Sequence, residues 1–179
     1  MKSSKSKTKW LEAGYQLFGK MGTSSLNVER LSLIVGLNRS SFYHYFGEIE
    51  IFENHLFDMH IDRFKIVSDA IDACINFQPD LIKVMGTFKL ELEFHRQLLI
   101  NESVSRYRTC FDRAKALTEE KIFRLWTAQN QRHQESTKDY SLFQAIRDFY
   151  LLHYQQTDEK EINSVVGDIQ LLLHGFNQV

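Results

Sequence analysis

The chain has one proline and eight glycines in 179 residues. So few turn formers exclude a sandwich, barrel or propeller, which need tight turns at short, regular intervals. Only two cysteines occur, Cys74 and Cys110, far apart and each within a helix-like stretch. A disulfide scaffold is therefore excluded, and a reduced, cytoplasmic protein with two buried, inert thiols is expected. No apolar run approaches the roughly 20 residues that a membrane helix needs. The basic N-terminus is followed by no apolar signal core, because Glu12 and Gln16 interrupt the next stretch. Catalytic signatures are missing as well: there is no Gly-x-Ser-x-Gly, no P-loop and no Gly-x-Gly-x-x-Gly. The Glu-x-x-His pairs of helical di-iron sites do not occur. His55 and His60 are five residues apart, about 140° around a helix, so they do not share a face. No catalytic residue, metal site or cofactor is expected.

What is present is a globular composition, with 43% hydrophobic and 13% aromatic residues, and charges that nearly balance at −1. The balance hides an asymmetry. Residues 1–47 carry seven Lys or Arg against Glu12 and Glu29, a surplus of +5, and residues 48–179 carry −6. A basic head on an acidic body points to a polyanionic partner for the head alone.

Helical spacing runs through nearly the whole chain, which predicts an all-α fold. Trp10, Ala13, Gly14, Leu17, Phe18 and Met21 form one stripe that Gly22 would close, and Thr23-Ser24-Ser25 is a polar link. Asn27 is placed to cap a second helix with Val28, Leu31, Ile34 and Val35 inward, ending at Gly36. Asn38 can cap a short third helix carrying Phe42, Tyr45 and Phe46, which Gly47 ends. From Ile49 to about Asn76, Asp58, Asp62, Lys65, Asp69, Asp72 and Asn76 mark a solvent stripe. Phe52, Leu56, Met59, Ile66, Val67, Ala70 and Cys74 lie opposite it. Pro79 and Asp80 break the pattern before a single seam of Leu81, Met85, Phe88, Leu92, His95 and Leu99. A helical region over Val104–Ala128 follows, with a break expected near Tyr107–Cys110. A polar loop over Gln129–Lys138 and two final helices at about 140–156 and 159–177 complete the pattern.

The second and third helices, joined through Gly36-Leu37-Asn38, have the length and turn of a helix-turn-helix. The third would present Arg39, Ser40, Ser41, Tyr43 and His44 outward, all able to bond phosphates or base edges. Asn38 starts a helix whose first N–H groups face an anion site. Trp10-Leu11-x-Ala13-Gly14-x-x-Leu17-Phe18-x-x-x-Gly22, followed by Val28-x-x-Leu31-Ser32-x-x-x-Gly36-Leu37-Asn38-Arg39-x-x-Phe42-Tyr43-x-Tyr45-Phe46, resembles the DNA-binding domain of the tetracycline-repressor (TetR) family.

The resemblance covers about residues 8–56. It implies a head over 1–47, with a basic tail over 1–9, and an effector-binding and dimerisation body over 48–179. It further implies a homodimeric transcriptional repressor of a palindromic operator, released by a small apolar or amphipathic effector. Carried over residue by residue, Asn27 and Asn38 fall at phosphate-touching helix starts, Arg39, Ser40, Ser41 and His44 in the groove, and Tyr43 on a phosphate. Lys5, Lys7 and Lys9 would add contacts from the tail. Two positions depart from the family pattern: Ile49 stands where a phosphate-contacting Lys is usual, and Ser32 where a small Ala is usual. One lost phosphate contact flattens the salt dependence by about one ion per half-site. A second reading therefore keeps the fold and drops operator binding, and a helical metal or cofactor enzyme trails far behind.

In the body, Glu91 and His95 sit one turn apart on the apolar seam and could orient the polar end of an effector, with Tyr107, Trp126 and Tyr150 as weaker candidates. The same residues also read as ordinary core. The broad apolar stripes of the last two helices would pair across a two-fold axis as the dimer surface, or cover the body's own core.

Overall fold

The computed structural model describes residues 2–153, with side chains from Lys5 onward. Among these residues the chain is all-helical and has no strand. The helices are α1 (Lys2–Met21), α2 (Val28–Val35), α3 (Arg39–Phe46), α4 (Ile49–Asp72), α5 (Ile82–Thr87), α6 (Lys89–Ile100), α7 (Ser105–Ala116), α8 (Glu119–Gln129) and α9 (Thr137–His153). The helix expected at 159–177 and the end of the one expected at 140–156 lie outside the described residues. Among the described residues the packing divides into two compact units, one running to Ile66 and including Leu90–Lys115, the other comprising Val67–Lys89 and residues 116–153.

The first four helices begin and end where local chemistry dictates. The Gly22 amide donates to the Phe18 carbonyl at 2.7 Å and closes α1. Asn27 Oδ1 accepts from the Arg30 amide at 2.8 Å, satisfying one of the orphan donors at the start of α2. Gly36 takes the left-handed conformation (φ 70°, ψ 30°), returning its amide to the Ser32 carbonyl. Asn38 repeats the cap on α3 through the Ser41 amide at 2.8 Å.

The Thr23–Ser25 link is a single tight helical turn and not a solvated loop. Ser25 is buried, and its hydroxyl donates to the carbonyls of Gly22 and Leu17. A second departure concerns the basic tail. It is helical from Lys2 as part of α1, and Lys7 turns inward, 3.3 Å from His55 Nε2 and over the Phe46 ring.

Aromatic side chains build the interior of the first unit. Trp10 meets Phe42 edge-on at 5.3 Å, and Phe42, Phe46 and Phe52 lie within 4.8–5.1 Å of one another. Gly14 is required beneath this cluster, because a Cβ there would lie 2.7 Å from Phe52 Cε1. The solvent stripe of α4 is exposed at every expected position. Its apolar face is rotated relative to the expectation: Ile66 is 58% exposed, while His60, Phe64 and Ile71 are buried. On α2, Ile34 is likewise exposed rather than inward. On α4 the aromatic partners of Phe52, His60 and Phe64 fix which side is covered, and sequence spacing alone does not carry that information.

Three helix boundaries differ from expectation. α4 stops at Asp72, short of Asn76, because the Asp80 carboxylate takes the amides of Ile75 and Asn76 at 3.1 and 2.9 Å. These bonds hold the Asp80 carboxyl below its ordinary range. The single seam from Leu81 to Leu99 is two helices, interrupted at Phe88 (φ −101°, ψ 40°). Gly86 weakens that turn, and the Thr87 hydroxyl bonds back to the Lys83 carbonyl. The break expected near Tyr107–Cys110 lies instead at Leu117–Thr118. Glu119 and Glu120 there favour a new helix start.

In the second unit, Phe123, Trp126, Tyr140 and Phe143 cluster between α8 and α9. Arg147 pairs with Glu119, and Arg132 with Asp139 at 2.8 Å. Lys121 bridges Ser68 and Asp72.

Candidate nucleic-acid interface

α3 has two faces. Phe42 and Phe46, one turn apart, are buried against Trp10 and Phe52. Arg39, Ser40, Tyr43 and His44 are exposed, forming the i, i+4 pairs 39/43 and 40/44 on the opposite side. Ser41 lies half-buried on the flank, its amide taken by the Asn38 cap. Capping at both ends and burial of the aromatic face hold this outward surface in one orientation. Its chemistry is a guanidinium, a hydroxyl, a phenol and an imidazole, the donor set that reads phosphates and base edges.

Arg39 is not alone there. Its Nη1 lies 2.5 Å from Glu29 Oε1, an ion pair between side chains that are 60% and 74% exposed. Glu29 belongs to the first turn of α2. Sequence reasoning did not single it out, because the pairing spans the turn and is set by the angle between two helices. Arg30, also unflagged, reaches the Met21 sulfur at 3.0 Å.

The flanks carry mixed charge. Lys5 and Lys9 are exposed, one turn apart on α1, and Lys7 is turned to His55 between them. Beside Lys7, and through burial first, the His55 imidazole is held below its ordinary pKa. At the other flank Ile49 opens α4, with exposed Glu48 and Glu50 on either side. Glu50 is paired with Arg106 at 2.9 Å.

The body residues singled out from sequence divide between the units. Glu91, His95 and Tyr107 belong to the first, Trp126 and Tyr150 to the second. Glu91 pairs with Arg63 at 3.0 Å, and Arg63 also holds Glu12 at 2.6 Å while its guanidinium lies over the Tyr15 ring. His95 joins a buried polar chain: Tyr15 Oη lies 2.8 Å from His60 Nδ1, and His60 Nε2 lies 3.3 Å from His95 Nδ1. His60 is the member that sequence reasoning missed. It is fully buried, and burial, then the neighbouring His95 and Arg63, push its pKa well below the ordinary 6.5. Burial in the same chain raises the Tyr15 phenol. The Tyr107 hydroxyl donates to the buried Glu53 at 2.8 Å, and Glu53 is also met by Arg106. Trp126 is buried beside Phe123 and Phe143, and Tyr150 is buried in α9.

Both cysteines are buried, and they form no disulfide. Desolvation pushes the Cys110 thiol up to about 12 and raises that of Cys74. No helix of the described residues is long and apolar enough to cross a membrane.

No protein-family model matches the chain, and no curated protein matches it by sequence. Solved structures do match. The TetR-family transcriptional regulator PfmR of Thermus thermophilus superposes with a TM-score of 0.58 at 16% identity, over 92% of this chain and 97% of that one. A protein of Mesorhizobium loti, assigned to the same family of regulators, gives 0.55 at 12% identity over 97% and 98%. One from Rhodococcus sp., assigned likewise, gives 0.56 at 13% identity over 94% and 98%. The fold of this chain is that of TetR-family transcriptional regulators, all-α with an N-terminal helix-turn-helix.

Proposed function

We propose that the chain is a DNA-binding transcriptional regulator, a homodimeric repressor of a palindromic operator that a small apolar or amphipathic effector releases. The observation that carries the reading is the exposed face of α3, where Arg39, Ser40, Tyr43 and His44 stand together on a capped helix within a TetR fold. The head over 1–47 would bind DNA, with Arg39, Ser40, Ser41 and His44 at the groove and Asn27, Asn38, Tyr43 and the exposed Lys5 and Lys9 on the backbone. The body over 48–179 would pair two copies and bind the effector. Regulation is a shift between two separations of the recognition helices, about 34–36 Å apart in the DNA-bound state. An effector acts only by binding the other separation more tightly. If it engages His95 or Glu91, it must displace His60 or Arg63, their present partners. No enzymatic role is proposed.

A second reading, a ligand-binding protein of this fold without operator binding, is favoured by one feature. The start of α4 offers Ile49 between two carboxylates where a cation would meet phosphate.

Anisotropy titrations with the DNA flanking its own gene, across a salt series, separate the two. Wild type should bind selectively, and Arg39→Ala with Tyr43→Phe should cost about 1–3 kcal/mol at a base contact or flatten the salt slope by about one at a phosphate. Binding no tighter than to random DNA at every salt would refute operator reading and move the function into the body.

A further inference from the structure

Glu29 is one of only two acids in residues 1–47. The other, Glu12, is engaged by the half-buried Arg63. Glu29 is solvent-exposed: its side chain is 74% exposed, and its carboxylate points across the turn to Nη1 of Arg39, the first residue of α3. The backbone beneath it is fixed by the Asn27 cap and by the Ser32 hydroxyl bonding to its carbonyl. The backbone thus holds Glu29 within reach of the guanidinium on the exposed side of the helix-turn-helix, and the ion pair places its carboxylate there.

From this geometry we infer that Glu29 is a specificity-determining residue of the head: its carboxylate stands in for a phosphate on Arg39, so that sequence-independent DNA contact must compete with an internal partner. The inference rests on the DNA-binding reading above. A free arginine at the start of a reading helix would take the nearest phosphate on any duplex. Held by Glu29, it gives up one N–H to the carboxylate and keeps the rest of its planar fork for a fixed direction of approach. A surface pair of this kind is weak. It suffices to cancel much of a single nonspecific phosphate contact and yields to a well-placed operator contact.

The competing account is that Glu29 only complements the positive end of α2. That account predicts a small change in melting temperature and none in DNA binding that depends on Arg39. The test uses the full chain as Glu29→Gln, with Glu29→Ala as a second variant, each alone and combined with Arg39→Ala. Anisotropy is followed on a random duplex and on the DNA flanking the gene, from low to moderate salt.

The expected result is that Glu29→Gln tightens random-duplex binding by about two- to fivefold near 0.1 M salt and steepens its log–log salt slope by about 0.9 per reading helix. Specific DNA gains less, so the specificity ratio falls, and the gain disappears with Arg39→Ala. A change below twofold, an equal gain on both duplexes, or a gain that persists without Arg39 would each overturn the inference while leaving DNA binding intact. Absence of DNA binding by wild type and variants alike overturns the reading beneath it.

Discussion

Substituting Gly14 with alanine tests whether α1 is locked to α4 by ring packing. An ideal Cβ at Gly14 lies 2.7 Å from Phe52 Cε1, closer still to Cζ, and 3.4 Å from Leu56 Cδ1. Carbon atoms at rest prefer about 3.5–4.0 Å, so the ring would have to retreat by roughly 1 Å. Phe52 has nowhere to go, being fully buried, with Phe46 at 4.8 Å and Phe42 at 5.1 Å. Overpacking of this kind costs about 1–3 kcal/mol, whereas replacing glycine by alanine in a helix gains up to about 1 kcal/mol. With the full helix gain set against it, the net destabilisation reaches about 2 kcal/mol, or roughly 4–8 °C in Tm for a chain of this length. Gly86→Ala is the control: beyond its chain neighbours and its own helix backbone, no atom of the described residues lies within 4 Å of its added Cβ, so only the helix gain remains. Urea midpoints and thermal melts of the two variants should move in opposite directions. A Gly14→Ala protein as stable as Gly86→Ala would show that the aromatic cluster yields freely and that the contact fixes nothing.

Stability should also fall in mild acid. His60 is held neutral in the fold, so below pH 6.5 the unfolded chain takes up a proton that the native state refuses. Its contribution is complete above that pH and is lost as pH falls toward the lowered native pKa, by up to about 1.4 kcal/mol per pH unit. Urea midpoints between pH 7.5 and 5 measure this slope, and a flat profile would rule out a buried neutral imidazole. Asn38→Ala should cost about 1 kcal/mol through the lost cap on α3, and Asn38→Gly only a few tenths. Equal losses in chemical denaturation would mean that the side-chain bond to the Ser41 amide does not hold the helix start.

The caps at Asn27 and Asn38 and the glycine stops at Gly22, Gly36 and Gly47 were legible because each is decided within four or five residues of chain. The helix-turn-helix and the outward set Arg39, Ser40, Tyr43 and His44 followed from them. His60 was not legible. Spacing recorded it as a polar residue off both stripes, and only the packing of α1 and α6 around it gives its two nitrogens partners. Ile66 and Ile34 failed the opposite way, as apolar residues on a face that nothing among the described residues covers. The α7–α8 break was readable in principle, since Thr118-Glu119-Glu120 carries a helix-start signature. The Arg39–Glu29 pair spans ten residues and a turn, so no local pattern announces it.

The helical form of the N-terminal segment limits how far its charges can travel. From Trp10, anchored in the core, back to Lys5 the helix advances only about 7.5 Å, at about 1.5 Å per residue. An extended arm of the same length would cover about 17 Å. These lysines therefore ride as fixed studs close to the head. On the DNA-binding reading proposed above, they would touch the sugar-phosphate rail next to the groove that α3 enters, and would not thread round the duplex into the groove behind it. On that same reading, the stretch of duplex that these lysines contact is correspondingly short.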